Sequence, residues 1–444
     1  MVIVLKNANI IDGTGAPLTE SSTVVINGSR IEAVITGADA VVTGNSTVCS
    51  ADTVSADDIA RIYSIAPASG TGASDYANAC TNTNTSADAV IDLNGAYLMP
   101  GLIDAHVHFG GTDALDRPGI GNAYETYDYL PSRTDALNWG ITSVRSAGDY
   151  TPDIITFRDA VKNNLHISPR IFASGKMIQA RGGHPIATVF GGNSAIADGS
   201  TIQVDENTDL DLEIGRLADA GVDWIKAVIC EVDKLNYPAP VPRIPPKKIA
   251  RIIDLAHKHG KPCMIHVDNA SHLREAAAAG ADSIEHVLAV GAVDTNIDDD
   301  LIDLLVRAQT PVVPTLISIK RHEGPGSGRP PVYETLKKQI GRLISAGVRI
   351  CAGTDSSIPF VRIGESLHDE LAELVACGMT PSEAIKAATY DNAALLRASD
   401  SIGLIKTGYF ADLIAVGENP LLDICNTKTI KLVIANGRIV SYNL

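Results

Sequence analysis

The sequence predicts an α/β protein: a (β/α)8, TIM-like barrel carrying a small β-sandwich built from both termini. Three observations lead there. Between residues 98 and 395 short apolar runs recur eight times, amphipathic segments separate them, and turn-rich alternating segments occupy the two chain ends. A chain of 444 residues exceeds what one core usually fills, so a large domain with a smaller companion is the natural division. The patterns place the sandwich in residues 1–97 and 396–444 and the barrel in residues 98–395.

At the N-terminus, "VIVLKNANIIDGTG" and "STVVINGSRIEAVI" alternate apolar and polar residues around turns, with Asn27-Gly28 suited to a tight hairpin. "ADLIAVGENP" and "KLVIANGRIVSYNL" repeat the pattern at the far end, so the two ends are expected to meet in one small β-domain. Residues 38–92 interrupt it with a polar, low-complexity insertion, read as a solvated loop on the sandwich. The barrel runs are "LIDAHVHF", "ITSVRSAG", "RIFASG", "DWIKAVIC", "CMIHVD", "SIEHV", "PVVPTLI" and "VRICAGTD", continuous enough to be buried parallel strands. Segments such as "PPKKIARIIDLAHKHG" and "ETLKKQIGRLISAG" between them space apolar residues by three and four and stop at glycine, as helices do.

A formal net charge of -16 argues against nucleic acid or an anionic membrane as partner, because a polyanion is repelled by such a surface. Small neutral or cationic substrates remain open. No run approaches the ~20 apolar residues of a membrane span, and the start of the chain reads as strand and turn rather than signal peptide. The expectation for the chain as given is cytoplasmic, with an exported mature form as the alternative. Its seven cysteines contain no CxxC pair, which excludes a zinc-finger reading. Cys49 and Cys80 flank the Ser/Thr-rich stretch and form either a loop-stapling disulfide or two free thiols; the others read as small apolar packers.

Chemistry-bearing residues fall within the apolar runs. His106 and His108, two positions apart, face the same side of a strand and can share one metal; alone, the pair fits an incidental strand end equally well. Lys226 in the fourth run, His266 in the fifth, His286 in the sixth and Asp355 at the end of the eighth add further ligand types. A lysine among apolar neighbours is costly to bury as an ammonium, so it either reaches the barrel mouth, pairs with a carboxylate, or is carbamylated by CO2 into an anionic bridge.

Taken together, HxH on strand one, Lys on strand four, single His on strands five and six, and Asp on strand eight resemble the metal centre of the amidohydrolase superfamily in its binuclear form. "NANIIDGTG", "PGLIDAHVH", "IEHV", "AGTDS", "AATYDNAA" and "GLIKTGYFADLIAV" extend the resemblance over nearly the whole chain. "GGHP", "DWIKAV", "SIEHV", "PVVPTL" and "AGTDSS" are similar to the imidazolonepropionase-like branch, with its Xaa-Pro dipeptidase-type and ochratoxin-hydrolysing amidases.

The resemblance implies two divalent cations, Zn2+ foremost with Mn2+ or Co2+ as alternatives. His106, His108 and Asp355 would hold the first, His266 and His286 the second, and a CO2-derived carbamate on Lys226 would bridge them. It further implies a small-molecule substrate, a homo-oligomer, and hydrolysis of an amide bond in an N-acyl amino acid or dipeptide. The same mechanism on a cyclic amide, lactone, ester, carbamate or phosphotriester is the alternative, and a catalytically dead scaffold is disfavoured by the complete ligand set. Asp355 is expected to carry the proton between water and leaving amine. His184, in a Gly-rich loop, is a candidate for contact with the substrate, and Tyr237 for an oxyanion donor. Arg145 reads as a structural ion-pair former, His322 as a solvated loop residue, and His257, His259, His272 and His368 as surface or helix-end residues.

Overall fold

A computed structural model describes residues 1–36, 88–110, 129–189, 194–232, 239–323 and 331–443. Its strands are β1 (Val2–Ile10), β2 (Thr19–Asn27), β3 (Arg30–Ile35), β4 (Ala89–Asp92), β5 (Tyr97–Pro100), β6 (Leu102–Val107), β7 (Ile141–Ser146), β8 (Arg170–Ala173) and β9 (Met177–Ala180). They continue with β10 (Thr201–Val204), β11 (Ile225–Val228), β12 (Cys263–His266), β13 (Ser283–Glu285), β14 (Val312–Val313), β15 (Leu413–Val416), β16 (Ile430–Ala435) and β17 (Arg438–Tyr442).

Backbone pairing gives two parallel sheets, β6-β7-β8 and β10-β9-β11-β12-β13-β14, and one mixed sheet. Helices alternate with the parallel strands. Pro246–Lys258 begins with Pro at its first position, turns Ile249, Ile252, Ile253 and Ala256 to the core, and is followed by Gly260 at φ 70°. Asp209, Asn269 and Asp298 cap other helices by accepting backbone N–H bonds.

Two seams connect the parallel sheets. At one, the Asp223 N–H donates to the Ala173 carbonyl at 2.7 Å. At the other, the eighth apolar run lies between β14 and β6: Cys351 N–H donates to Val312 O at 2.9 Å, and Ala105 N–H to Ala352 O at 3.0 Å. That run, expected as a strand, pairs only through isolated parallel bridges, Val312 with Ile350 and Val107 with Ser356. Its close approach needs Gly353, where a Cβ would fall 2.5 Å from Val313 Cγ1 and 2.9 Å from the His106 nitrogen. Asn392, from "AATYDNAA", fastens the same seam by donating to Ile103 O at 2.6 Å and Ala352 O at 2.7 Å.

The mixed sheet runs β17-β16-β15-β5-β1-β2-β3, with β4 also on β1. β15 lies antiparallel to β5, Leu413 opposite Pro100 and Val416 opposite Tyr97, so the two chain ends do share one structure. Its hydrogen bonding forms one continuous eight-stranded sheet. Ala89–Asp92, the start of "AVIDLNGAYLMPG", pairs in parallel with β1. Cys49 and Cys80 lie outside the described residues.

Candidate metal centre

The local fold first fixes the two histidines of the opening motif. Beyond β6 the chain turns, and the buried Asp149 carboxylate accepts the Phe109 and Gly110 N–H groups, both at 2.9 Å. Burial raises the pKa of Asp149. Asp104 ties β6 to the eighth run by accepting from Thr354 Oγ1 at 2.7 Å and from the His106 N–H at 3.2 Å; burial pushes it up to about 7. Asp355 follows with φ 60° and His286 sits at φ 73°, a left-handed backbone that is costly outside glycine and re-aims both side chains.

Each histidine then has one ring nitrogen engaged behind it. His106 Nδ1–H donates to Glu285 Oε2 at 2.6 Å, His108 Nδ1–H to Gly148 O at 2.9 Å, and His286 Nδ1 pairs with Thr315 Oγ1 at 2.8 Å. The acceptor behind His106 sets its tautomer and leaves Nε2 as a lone pair. Both Nε2 atoms face one carboxylate, with His108 Nε2 3.2 Å and His106 Nε2 3.5 Å from Asp355 Oδ1. His106 Nε2 is fully buried and has no hydrogen-bond partner. One ligand atom from each of His106, His286 and Asp355 lies within 4.8 Å of the others. Convergent imidazole lone pairs, a carboxylate and a buried donorless nitrogen fit a divalent cation.

Electrostatics agree with neutral His106 and His286 imidazoles beside an ionised carboxylate, whereas the pKa of His108 is raised although burial opposes this, because Asp355 bonds it. Burial, reinforced by the Lys226 charge, lowers His106 to about 4. Burial and the neighbouring His266 hold His286 well below its ordinary value. Asp355 is held well below the carboxylate range although burial opposes this, because His108 bonds it and the surrounding histidines favour its charge. Its Oδ2 accepts a 3.3 Å bond from Ser318 Oγ. Glu285 is fully buried yet kept ionised by Arg145, whose guanidinium also donates to Ala105 O at 2.6 Å and Ser283 Oγ at 2.8 Å. Arg145 thus has the structural ion pair expected of it.

Other sequence candidates divide. Lys226 is buried on β11, and its charge acts on both His106 and His286. His266 ends β12 with its ring 4.4 Å from that of His286 and 4.9 Å from that of His184 between centroids. The half-buried His184 therefore reaches the histidine group, and its Nδ1 pairs with Thr188 Oγ1. Tyr237 lies outside the described residues. His322 closes the helix Leu316–His322, half-buried and bonded to Ser318 O at 2.8 Å, where a solvated loop was expected. His272 and His368 are buried, against the expectation of surface or helix-end residues, since their helices turn them to the core.

Sequence reasoning missed Glu285, Asp149, Asp104 and Cys230. Glu285 carried a readable signal, a second charged residue beside His286 in the apolar run "SIEHV".

The Amidohydrolase family model matches residues 97–440. An uncharacterized protein of Mycobacterium tuberculosis is 31% identical over 69% of this chain and 75% of its own. Ochratoxinase of Aspergillus niger is 28% identical over 74% of this chain and 71% of its own, and an imidazolonepropionase of Chromobacterium violaceum is 24% identical over 73% and 78%. Among solved structures, a Xaa-Pro dipeptidase with bound methionine in its active site superposes with TM-score 0.73 at 24% identity, covering 99% of this chain and 100% of that one. The crystal structure of A. niger ochratoxinase gives TM-score 0.73 at 21% identity, covering 99% and 96%. The chain belongs to the amidohydrolase family of hydrolases, whose members generally bind divalent metals. Among the described residues, no helix is long and apolar enough to cross a membrane.

Proposed function

We propose that this chain is a binuclear metal-dependent amidohydrolase that cleaves the C–N bond of a small N-acyl amino acid or dipeptide. The observation that carries the reading is the set of imidazoles with Nδ1 engaged behind them, two of which aim Nε2 at Asp355. His106, His108 and Asp355 would hold one cation and His266 and His286 the other, with Lys226, as a carbamate, as the ligand they would share. Imidazole and carboxylate donors favour Zn2+, with Mn2+ or Co2+ as substitutes. Bound there, the cations supply Lewis acidity toward a water and the substrate carbonyl.

The residues divide the remaining work. Asp355, ionised and oriented by Ser318, accepts a proton from water as the oxygen attacks the carbonyl carbon, then delivers it to the amine nitrogen as the C–N bond breaks. His184, at the edge of the histidine group, faces the substrate, and Tyr237 is the proposed oxyanion donor. The Glu285–Arg145 pair keeps His106 in the tautomer that leaves Nε2 free.

The same reading extends to architecture. The two parallel sheets and the eighth run close a barrel over residues 98–395 with the site at its C-terminal mouth, and residues 1–97 and 396–444 form the companion domain. The protein is proposed to be a homo-oligomer acting on small molecules, cytoplasmic with an exported mature form as the alternative; its net charge of -16 disfavours a nucleic-acid or anionic-membrane partner.

The names of its neighbours suggest the substrate panel: N-aroyl phenylalanines, Xaa-Pro dipeptides and other N-acyl amino acids, assayed with added Zn2+, Mn2+ or Co2+. Turnover concentrated among amides is the expected result. Turnover of lactones, esters or carbamates with no amide cleaved would overturn the substrate class.

A further inference from the structure

Cys230, His266 and Asp268 form a second donor group beside the first. Backbone pairing brings them together: Ile229 N–H donates to the His266 carbonyl at 3.0 Å, which sets Cys230 next to the end of β12. Two residues later Asp268 returns its carboxylate, and His266 Nε2 lies 3.0 Å from Asp268 Oδ1. All three side chains are buried, and one ligand atom from each lies within 4.8 Å of the others. The His184 ring, 4.9 Å from that of His266, adds another imidazole at the same edge.

The chemistry of this group differs from that of its neighbour. His106, His108, His286 and Asp355 offer nitrogen and oxygen alone, a hard to borderline set. Cys230 adds sulfur, and a Cys/His/carboxylate set selects borderline and soft cations over Mg2+ or Ca2+. The Cys230 thiol lies 3.4 Å from the Val232 carbonyl oxygen, so a cation binding here displaces the thiol proton to solvent and takes the sulfur as thiolate.

We propose that Cys230, His266 and Asp268 form an inhibitory position for a thiophilic divalent cation, Zn2+ in excess or Cd2+, which shares His266 with the catalytic metal centre. The inhibitory role rests on the proposed function, because His266 serves the catalytic set there. A cation on Cys230 draws that imidazole away from its partner His286.

The test is Cd2+ titration of the full chain, read by the ultraviolet thiolate-to-cadmium charge-transfer absorption and by equilibrium dialysis. Wild type is expected to show a saturable band that Cys230→Ser removes, since serine keeps the size and the hydrogen bond of the thiol without the sulfur. Asp268→Asn should keep the sulfur and weaken Cd2+ binding roughly tenfold or more. His106→Asn, which disrupts only the other group, should keep the band. A band of undiminished intensity in Cys230→Ser, or Cd2+ bound by wild type without the band, overturns the thiolate position. Failure of the catalytic reading shows separately, as dialysis in which His106→Asn changes no Zn2+ stoichiometry.

Discussion

The mixed sheet at the chain ends and the histidine group at the ends of β6, β12 and β13 are both buried, yet they are built on opposite terms. In the sheet, Ile3, Leu5, Ile26, Leu98, Leu413 and Leu432 fill one apolar cluster, and positive φ outside glycine falls on Asn7 and Ser21, where the β1–β2 register shifts, and on Asn94 and Asn436, in turns beside glycine. In the histidine group, buried nitrogen and carboxylate atoms crowd one another. Positive φ falls on His286, Val287 and Asp355, including a β-branched residue for which that backbone is a clear outlier. The sheet is satisfied within itself. The site holds electrostatic tension and backbone strain that the surrounding bonds sustain and that a bound cation would relieve.

The largest expected effect breaks the catalytic half of that contrast. Asp355→Asn keeps one oxygen for a metal and loses the base, so kcat should fall by roughly 10²- to 10⁴-fold while most of the metal remains. Near-normal turnover with metal bound would move the proton to another group, His184 first.

The next effect sets one region against the other in stability. Glu285→Gln leaves the buried Arg145 charge without its partner and should cost about 3–5 kcal/mol in urea unfolding, with weakened metal retention. Ile26→Val, a change of the same kind of burial in the sheet, should cost only about 0.5–1.5 kcal/mol and leave metal content alone. Equal costs would mean that the Arg145–Glu285–His106 chain is ordinary packing.

A smaller effect lies away from both regions. His368 is buried between Thr427 Oγ1 and the Trp139 carbonyl, each at 2.9 Å, and burial lowers it to about 4. A histidine depressed in the folded state stabilises the protein above its ordinary value near 6.5, and that contribution is lost as pH falls from there through about 4. Its share is at most about 3 kcal/mol. His368→Gln should therefore flatten the loss of stability over this window, measured as the difference between variant and wild-type unfolding curves. An unchanged slope would place the acid sensitivity at the metal-site histidines.

The same contrast explains what could be read in advance. Alternation and turns announced the sheet at both ends, because its residues obey local rules that a sequence displays. The side chains of the histidine group were also conspicuous, since a histidine or lysine inside an apolar run is expensive. What stayed hidden were the residues that aim them. Asp149 looks like an ordinary turn acid and Asp104 is a single acid inside "LIDAHVHF", and only the fold shows them gathering backbone N–H groups. The eighth run read as a strand because Val348, Ile350 and Cys351 are apolar, but its ladder is reduced to isolated bridges at Ile350 and Ser356, on either side of the Gly353 contact and the positive φ of Asp355. His368 and His272 escaped because helical periodicity alone did not show which face their helices bury.

The central claim is that the strained histidine group exists to hold a pair of cations, and metal content tests it most directly. Purified protein reconstituted with Zn2+, desalted and measured by elemental analysis should retain two ions per chain, and His106→Asn should retain fewer. Full hydrolytic activity in protein with a metal content near zero would contradict the account.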